Sequence, residues 1–328
     1  LDERNLQLDY KNLKIINGRA QIGYGLNSVT GKLGAETSNN SSLGWKTEAN
    51  DSCTLVFGSC SKSNRGSYGS MVTGLCAEAS SNYMLVGGIA NKETTDNGSA
   101  ALFQIGNGEI AVVEDADGGL KHEATSRSSA FTVFSNGNAV VQNTLSSSNG
   151  ADYAEFFEWA DGNPNGEDRI GLVVCLEGGK IRLAQAGDDV LGIISGTAAV
   201  LGDSAAAHWK GKYLTDEYGR MLYDMVEEFV IDEDPETGET KTVSAGFFPH
   251  PRLNPDYDPE TTYIPREERP EWDKVGLMGK LYVRDDGTCV SGGYGRVSAD
   301  GVLTCSEEKT DIRIMKRTGE NIVLVLMK

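Results

Sequence analysis

The stretch SNGADYAEFFEW, residues 148–159, marks the boundary that decides how this chain folds. Residues 1–150 carry 14 acidic and 11 basic side chains, whereas residues 151–328 carry 34 and 19, so most of the net charge of −18 lies downstream. All eight prolines lie at or beyond Pro164, while Gly, Ser, Asn, Ala and Thr dominate the upstream half. We therefore expect two folded regions of different kinds on either side of residue 150.

The overall composition narrows the possible functions. A chain of 328 residues with 39% hydrophobic and 24% charged side chains is long enough for two globular units. An acidic protein with a pI near 4.6 is repelled by nucleic-acid phosphates and anionic lipid, so neither is an expected partner. The sequence has no segment typical of a signal peptide or a membrane helix, which favours folding in the cytoplasm.

Cysteine and histidine usage predicts neither a metal site nor a cofactor site. The six cysteines contain no CxxC pair, which favours reduced thiols, and His122, His208 and His250 lie far apart with no nucleophile pattern around them. We interpret these histidines as structural or surface residues.

The upstream half contains a repeat. Cutting the chain every fourteen residues from Ser28 gives five rows whose columns agree. The second position is apolar (Val29, Leu43, Phe57, Met71, Leu85), the eighth is small (Ala35, Ala49, Ser63, Ala77, Asn91) and the eleventh is Ser, Gly or Thr (Ser38, Ser52, Gly66, Ser80, Thr94). This pattern predicts a parallel β-solenoid in which the second column supplies one inward-facing residue per coil.

Such short coils predict an oligomer. Each coil offers only one or two large side chains, so a single chain would have a thin core, and trimerisation would supply the missing burial. The rows resemble the head repeats of trimeric autotransporter adhesins over about residues 28–97. That resemblance implies a trimeric, left-handed parallel β-roll.

Strands are also predicted between and beyond these regions. Residues 101–143 hold two alternating apolar runs, the second broken by a turn at Asn136–Asn138, and this segment resembles the region just upstream of the processing domain in phage tail and appendage proteins. Residues 275–306 and 311–328 read as antiparallel strands. Residues 227–243 read as a hairpin with an acidic turn, and residues 249–272 as a proline-rich insertion without long helix or strand.

The block DYAEFFEW at residues 152–159 is followed by GNP and ED, and then by LGIISGTAAVLGD and WKGKYLTDEYGR. From residue 150 to the end, the chain resembles peptidase family G2, the intramolecular chaperone domain of phage pre-neck appendage and prophage tail proteins. The resemblance implies a mixed, β-rich domain that assembles three chains and templates the folding of the β-helical fibre before it. The domain then releases itself by cutting its own backbone.

The resemblance also implies the site. Asp152 and Glu155 match the two acidic catalytic positions of the family, and the cut falls at the bond between Ala151 and Asp152. Hydrolysis by carboxylates needs one ionised and one protonated group, which two acids with separated pKa values can supply. In a helical turn the two side chains would lie on one side, whereas in a strand they would point to opposite faces and the partner acid could come from a neighbouring chain. Both arrangements stay open.

The predicted organisation is a trimeric β-solenoid shaft over residues 1–100, a β-strand neck over 101–149 and a self-cleaving chaperone domain over 150–328. The resemblance implies that the chain is the C-terminal part of a phage or prophage fibre. It also implies a peptidase that uses acidic residues and cuts its own chain once. Its partners would be two further copies, an upstream fibre domain and other virion proteins. It would lie in the host cytoplasm during assembly and in the virion afterwards.

Three alternatives accompany this prediction. The family resemblance implies a serine before the catalytic aspartate, and Ala151 in its place favours a structural trimerisation domain that does not cut. A trimeric surface adhesin is disfavoured by the lack of a signal peptide or anchor. The dipeptide Asn149-Gly150 could also break slowly through a succinimide without any enzyme. A role for a nucleotide in processing stays open.

Overall fold

The computed structural model describes residues 20–22, 41–51, 54–64, 66–96, 98–116, 118–206, 211–233 and 240–328. In these ranges the chain consists of β-strands and loops with a 3₁₀ turn at Arg266–Glu268, which confirms the mainly β fold class. No helix in these ranges has the length and apolar character needed to span a membrane.

Two compact units can be distinguished. The first comprises Leu1–Leu145 together with Val230–Val243, and the second comprises Ser146–Phe229 together with Ser244–Lys328. The predicted division of the chain into a shaft over residues 1–100, a neck over 101–149 and a chaperone domain over 150–328 stays a prediction.

Strands from the first half of the chain build most of the first unit. They are β1 (Ala20–Ile22), β2 (Ser41–Trp45), β3 (Glu48–Ala49), β4 (Leu55–Ser59), β5 (Lys62–Ser63), β6 (Met71–Leu75), β7 (Glu78–Ala79), β8 (Leu85–Ile89), β9 (Thr95–Asp96), β10 (Ser99–Asn107), β11 (Glu109–Glu114), β12 (Leu120–Ser126), β13 (Ser129–Phe134) and β14 (Ala139–Val141). The long strands stack in parallel in the order β1-β2-β4-β6-β8-β10, and the short strands stack separately as β3-β5-β7. This coiled stacking confirms the predicted solenoid.

The end of the first unit follows the predicted neck pattern. β13 pairs antiparallel with β10 and then with β14 across the predicted turn, where Gly137 has a positive φ of 86°. β11 and β12 form a separate antiparallel pair.

Coil length is not constant. Leu43 pairs with Phe57, fourteen residues later, but Phe57 pairs with Thr73, sixteen residues later. Met71 pairs with Leu85 at a spacing of fourteen again. The fixed fourteen-residue period was therefore wrong, because two extra residues between β5 and β6 shift every column of a fixed-period alignment.

The predicted inward column was also wrong. Val56, Val72 and Val86 are fully buried, whereas Met71 and Leu85 of the second column are 40% and 41% exposed. Side chains alternate across a strand, so the residue beside an inward valine must point outward. The small eighth column does lie inside, since Ala49, Ser63, Ala77 and Asn91 are buried; Val29, Ala35, Ser38 and Ser52 lie outside the described residues.

A ladder of glycines, one at the matching position of each coil, runs through the first unit although the coil length varies. Gly44, Gly58, Gly74 and Gly88 occupy successive coils, and all have positive φ. A Cβ atom on each of the first three would lie 1.9 Å from the carbonyl oxygen of the glycine in the next coil. The backbones of neighbouring coils can approach this closely only because no side chain is present.

The interior of the first unit is small and partly polar. Its apolar core contains Ala49, Val56, Val72, Ala77, Ala79, Met84, Val86, Ala101 and Phe134. Buried amides lie beside it: Asn91 donates to Gln104 at 2.6 Å, and Gln104 donates to Thr132 at 3.2 Å. Each coil thus contributes little apolar volume, as the sequence predicted.

The second unit is built on a curled sheet. The strands after residue 150 are β15 (Asp152–Glu158), β16 (Val173–Glu177), β17 (Lys180–Leu183), β18 (Gly192–Ile194), β19 (Ala198–Gly202), β20 (Tyr223–Glu233), β21 (Thr240–Pro251), β22 (Trp272–Arg284), β23 (Tyr294–Ala299), β24 (Val302–Ser306), β25 (Ile312–Gly319) and β26 (Ile322–Met327). The parts of β20 and β21 within Val230–Val243 belong to the first unit, and the other strands belong to the second. The order is β17-β16-β18-β22-β26-β25-β23-β24, with β15 bound to β19 and β22. β20 and β21 pair only with each other among the described strands, and their predicted acidic turn lies outside the described residues.

The predicted C-terminal strands are confirmed, because β22 to β26 pair antiparallel. β21 runs to Pro251, slightly into the predicted proline-rich insertion. Two apolar clusters support the sheet, the larger around Val173, Leu281, Leu303 and Val325.

Substituting Gly58 by alanine tests the glycine ladder. Gly58 has a φ of 119°, and the new Cβ would collide with the carbonyl oxygen of Gly74. We therefore expect a loss of about 2 kcal/mol or more in the free energy of unfolding of the first unit. Thermal or denaturant unfolding followed by circular dichroism measures it. Gly66→Ala is the matched control, because Gly66 also has positive φ but open space around its Cα. Equal losses in both variants would assign the effect to backbone strain alone.

Candidate functional site

β15 places the predicted site between two neighbouring strands. It pairs parallel with β19 on one side and antiparallel with β22 on the other, so that Asp152 lies opposite Ala198 and Gly279. The strand alternative for this segment is therefore confirmed and the helical turn is excluded. Asp152, Ala154 and Phe156 occupy the buried face of the strand.

Asp152 is buried without a hydrogen-bond partner. Its side chain is 2% exposed, and neither carboxylate oxygen accepts a hydrogen bond from the described residues. Burial disfavours the charged form and raises the pKa of Asp152, while the nearby Ser195 hydroxyl and the residue's own backbone N–H lower it by a smaller amount. A carboxyl group in this setting keeps its proton to a higher pH than an exposed aspartate does.

Ser195 brings a hydroxyl to the site from the loop after β18. Its backbone N–H donates to the carbonyl of Lys274 at 2.8 Å, which fixes the residue beside β22. Its Oγ accepts the N–H of Thr197 at 3.1 Å, leaving the hydroxyl proton free to point toward Asp152. The chain therefore places a hydroxyl near the aspartate although Ala151 carries none.

Glu155 points to the other face of β15. Its carboxylate accepts a hydrogen bond from the Tyr153 hydroxyl, two residues away on the same face, and this bond raises the pKa of Tyr153. Gly202 of β19 lies opposite, where a Cβ would meet Tyr153 Oη at 2.9 Å and Glu155 Cγ at 3.0 Å. The strand thus separates the two predicted catalytic acids of one chain.

The backbone around the predicted scissile bond is packed tightly. The carbonyl of Ala151 accepts the N–H of Lys280 at 3.3 Å. A Cβ on Gly150 would lie 2.5 Å from the nitrogen of Ala199, and one on Gly276 would lie 3.0 Å from Asp152 Oδ2. Ala151 itself is exposed, whereas Asp152 is buried.

Both strands flanking β15 are irregular at this level. Ala199 is an extra residue in β19 between the partners of Asp152 and Tyr153. Leu277 is an extra residue in β22 between the partners of Tyr153 and Ala154. Such bulges re-aim side chains and are frequent beside active sites. Ser195, Gly276 and Lys280 were not identified from the sequence, because nothing local marks their approach to Asp152.

A second, half-buried acid lies elsewhere on the same strand pair. Asp273 faces Phe157, and burial raises its pKa, but it accepts a hydrogen bond from Trp159 Nε1 at 3.0 Å. The Trp159 ring in turn stacks under Arg169, whose guanidinium lies 4.3 Å from the ring centroid. This satisfied network supports packing and lies away from Ala151.

The remaining polar features have structural contacts. His122 bonds to Ser59 at 2.7 Å, His250 pairs with Glu228 at 2.7 Å, and Asp188 pairs with Arg182 at 2.7 Å. His208 lies outside the described residues. Within the described ranges, no group of three or more His, Cys, Asp or Glu side chains is arranged to hold a metal ion.

Known proteins match part of this chain. Pre-neck appendage proteins of Bacillus phage B103 and Bacillus phage phi29 are 36% and 35% identical over 198 and 199 residues, 59% of this chain and 21% of each relative. The putative phage-related protein YobO of Bacillus subtilis (strain 168) is 39% identical over 201 residues, 58% of this chain and 23% of that protein. The aligned regions thus span about a fifth of the length of these relatives.

A solved structure has the same fold. The crystal structure of the pre-mature bacteriophage phi29 gene product 12 superposes with a TM-score of 0.58 at 23% identity, covering 96% of this chain and 40% of that chain. The family model of the IMC (intramolecular chaperone) autoproteolytic cleavage domain matches residues 76–321. The chain therefore belongs to the Peptidase_G2 family of autoproteolytic cleavage domains.

Proposed function

We propose that this chain is the C-terminal part of a phage or prophage appendage fibre. Its second unit would act as an intramolecular chaperone that assembles three chains, templates the folding of the shaft and then cuts the bond between Ala151 and Asp152. The observation that carries the cleavage proposal is Asp152, a buried carboxyl group with no hydrogen-bond partner, directly after the scissile peptide.

Asp152 is suited to act as the general acid. Peptide hydrolysis adds water to the carbonyl carbon of Ala151, and the nitrogen of Asp152 leaves only when it gains a proton. A carboxyl group whose pKa is raised by burial retains that proton closer to neutral pH. The Asp152 side chain is attached to the residue whose nitrogen leaves, so transfer needs no large movement. The products are the carboxylate of Ala151 and the free amino group of Asp152.

Glu155 is suited to act as the general base on a neighbouring chain. Within one chain it lies on the face of β15 opposite Asp152 and three residues along the strand, so it does not approach the Ala151 carbonyl. Tyr153 holds its carboxylate in one orientation on that face. We therefore favour cleavage across subunits, in which each scissile bond uses its own Asp152 and the Glu155 of another copy.

The first unit supports a trimer. Parallel sheets are normally covered on both faces, yet the outer face of its sheet carries apolar side chains with no cover among the described residues. Two rows cross neighbouring coils: Leu55, Met71, Leu85 and Phe103; Leu75 and Ile89. Phe57 and Ile105 lie on the same face in coils that are not adjacent. Packing this face against two further copies would provide the burial that the thin interior lacks.

The fibre context rests on the relatives. Two of them are pre-neck appendage proteins of phages, and this chain aligns with a fifth of each. A complete protein of this kind would have further domains before the shaft, and it would be assembled in the host cell and carried on the virion. Contacts with other virion proteins would then involve the shaft and those upstream domains.

A structural trimerisation domain that does not cut is the second candidate. The observation that favours it is Ala151, where the family resemblance implies serine. Ser195 weakens this objection, because it supplies a hydroxyl beside Asp152 from another loop.

Intact mass under denaturing conditions tests the cut. The wild-type chain is expected to yield a C-terminal fragment beginning at Asp152, while Asp152→Ala and Glu155→Ala stay full length. Glu158→Ala is the matched control on the same strand, where Glu158 pairs with Lys180 at 2.7 Å and should not affect cleavage. Full-length mass for the wild type would favour the structural candidate, and a new end at Gly150 or Asn149 would indicate succinimide chemistry.

Mixed trimers test the cross-subunit arrangement. Co-expressing Asp152→Ala and Glu155→Ala chains with different tags places an intact Asp152 beside a neighbour's intact Glu155. We expect cleavage to return in the Glu155→Ala chains only, and to remain absent from the Asp152→Ala chains. If neither chain is cut in purified mixed trimers, the two acids act within one chain.

The oligomeric state tests the apolar outer face. Light scattering coupled to size exclusion should give a trimer for the wild type and smaller species for Leu85→Lys, because a buried lysine would oppose packing. Val112→Lys is the control, since Val112 is 59% exposed on the separate β11–β12 pair. A trimer that survives Leu85→Lys unchanged would contradict this interface.

The pH dependence of stability tests the state of Asp152. Its raised pKa means that the folded chain binds a proton more tightly than the unfolded chain, so stability falls as pH rises from the ordinary aspartate pKa through the raised one. In a Glu155→Ala background, Asp152→Asn should therefore stabilise the chain above that window by on the order of 1 kcal/mol. Asp188→Asn should show the opposite sign, because Arg182 lowers the pKa of Asp188. Melting temperatures between pH 5 and pH 8 measure both.

A further inference from the structure

β22 contacts the scissile peptide through its backbone. The N–H of Lys280 donates to the carbonyl oxygen of Ala151 at 3.3 Å, although β15 begins only at the next residue. This carbonyl is the group on which negative charge develops when water attacks. The bond is longer than the usual 2.9–3.0 Å of an N–H donor and a ground-state carbonyl.

Gly279 makes this contact sterically possible. It has a φ of 116°, a conformation that L side chains rarely adopt. A Cβ at this position would lie 2.5 Å from the oxygen of Ala151 and 2.9 Å from the Cα of Asp152. Any side chain would therefore push the scissile peptide away from the Lys280 N–H.

Gly276 packs against the Asp152 side chain from the same segment of β22. A Cβ there would lie 3.0 Å from Asp152 Oδ2 and 2.4 Å from a methyl group of Leu281. The extra residue Leu277 lets Gly276 and Gly279 face Ala154 and Asp152 in turn. One irregular segment of β22 thus encloses both the carbonyl and the acid.

We propose that the backbone N–H of Lys280 is the oxyanion donor of the self-cleavage reaction and that Gly279 is its positioning residue. This inference rests on the proposed cut before Asp152. Water adds to the carbonyl carbon of Ala151 and loses one proton to the base, and the carbonyl oxygen becomes an anion held by the Lys280 N–H. The carbon–nitrogen bond then breaks as the nitrogen of Asp152 takes a proton from the general acid. Atoms and charge balance, and no further reactant is needed.

The geometry suits the intermediate better than the ground state. The carbonyl carbon becomes tetrahedral during attack, so its oxygen leaves the peptide plane and gains a full negative charge, which strengthens a hydrogen bond from a fixed donor. The donor is a main-chain group within a long central strand, so it needs little reorganisation. An ordinary sheet hydrogen bond would contribute to stability but not to the rate of cleavage.

Replacing the peptide bond before Lys280 by an ester removes this N–H and keeps the strand. An α-hydroxy acid analogue of lysine can be incorporated at position 280, because the Lys280 side chain is exposed. The same change before Lys316, an exposed lysine of β25, is the control. We expect the ester at 280 to slow formation of the fragment beginning at Asp152 by about 100-fold, and the ester at 316 to leave the rate unchanged. Hydrolysis of the ester itself would give a fragment beginning at residue 280, which mass distinguishes.

The pH profile separates a donor from a structural effect. Loss of a donor that does not titrate lowers the rate equally at every pH, whereas displacement of Asp152 would shift the midpoint of the profile.

Gly279→Ala should also abolish cleavage, while Gly287→Ala should not, because Gly287 has a positive φ but no close neighbour. Cleavage of the 280 ester at the wild-type rate, or with a shifted midpoint, would overturn the proposal. An uncut wild type, or normal cleavage in Asp152→Asn, would instead overturn the proposed function itself.

Discussion

The second unit depends on the pairing of β15 with both β19 and β22. Hydrogen bonding on both edges fixes the strand, and its alternation then turns Asp152 into the interior and Glu155 to the opposite face. An unpartnered carboxyl group in the interior costs free energy, which the surrounding sheet must offset. Strain of this kind persists where the structure over-determines it, and such places are often functional.

Close approach of backbones is a constraint that both units share. In the first unit, Gly44, Gly58 and Gly74 let neighbouring coils come together where any Cβ would collide with a carbonyl oxygen. In the second, Gly276 and Gly279 let β22 approach Asp152 and the carbonyl of Ala151. In the first unit the glycines let neighbouring coils stack closely, and in the second they let one strand contact one peptide bond.

Ala151 carries no hydroxyl, but Ser195 places one near Asp152 from the loop between β18 and β19. In the proposed mechanism, the division of the two acids between opposite faces of one strand would link cleavage to assembly, because a complete set of groups would form only when chains associate. A domain of this design would cut after folding and not before it.

The sequence by itself determined the strand-rich composition, the change of regime near residue 150 and the family, because alternation, turn residues and the DYAEFFEW block are local signals. It also pointed to Asp152 and Glu155 as candidate catalytic acids, which stays a prediction, and it predicted a solenoid. Only the tertiary structure decided which side of each solenoid strand points inward, since apolar residues occupy both faces of these strands, as Val86 and Leu85 do, and alternation alone does not say which face is buried. It alone decided that Asp152 is buried beside Ser195, Gly276 and Lys280, because these residues lie far downstream and only pairing across the sheet brings them to this aspartate.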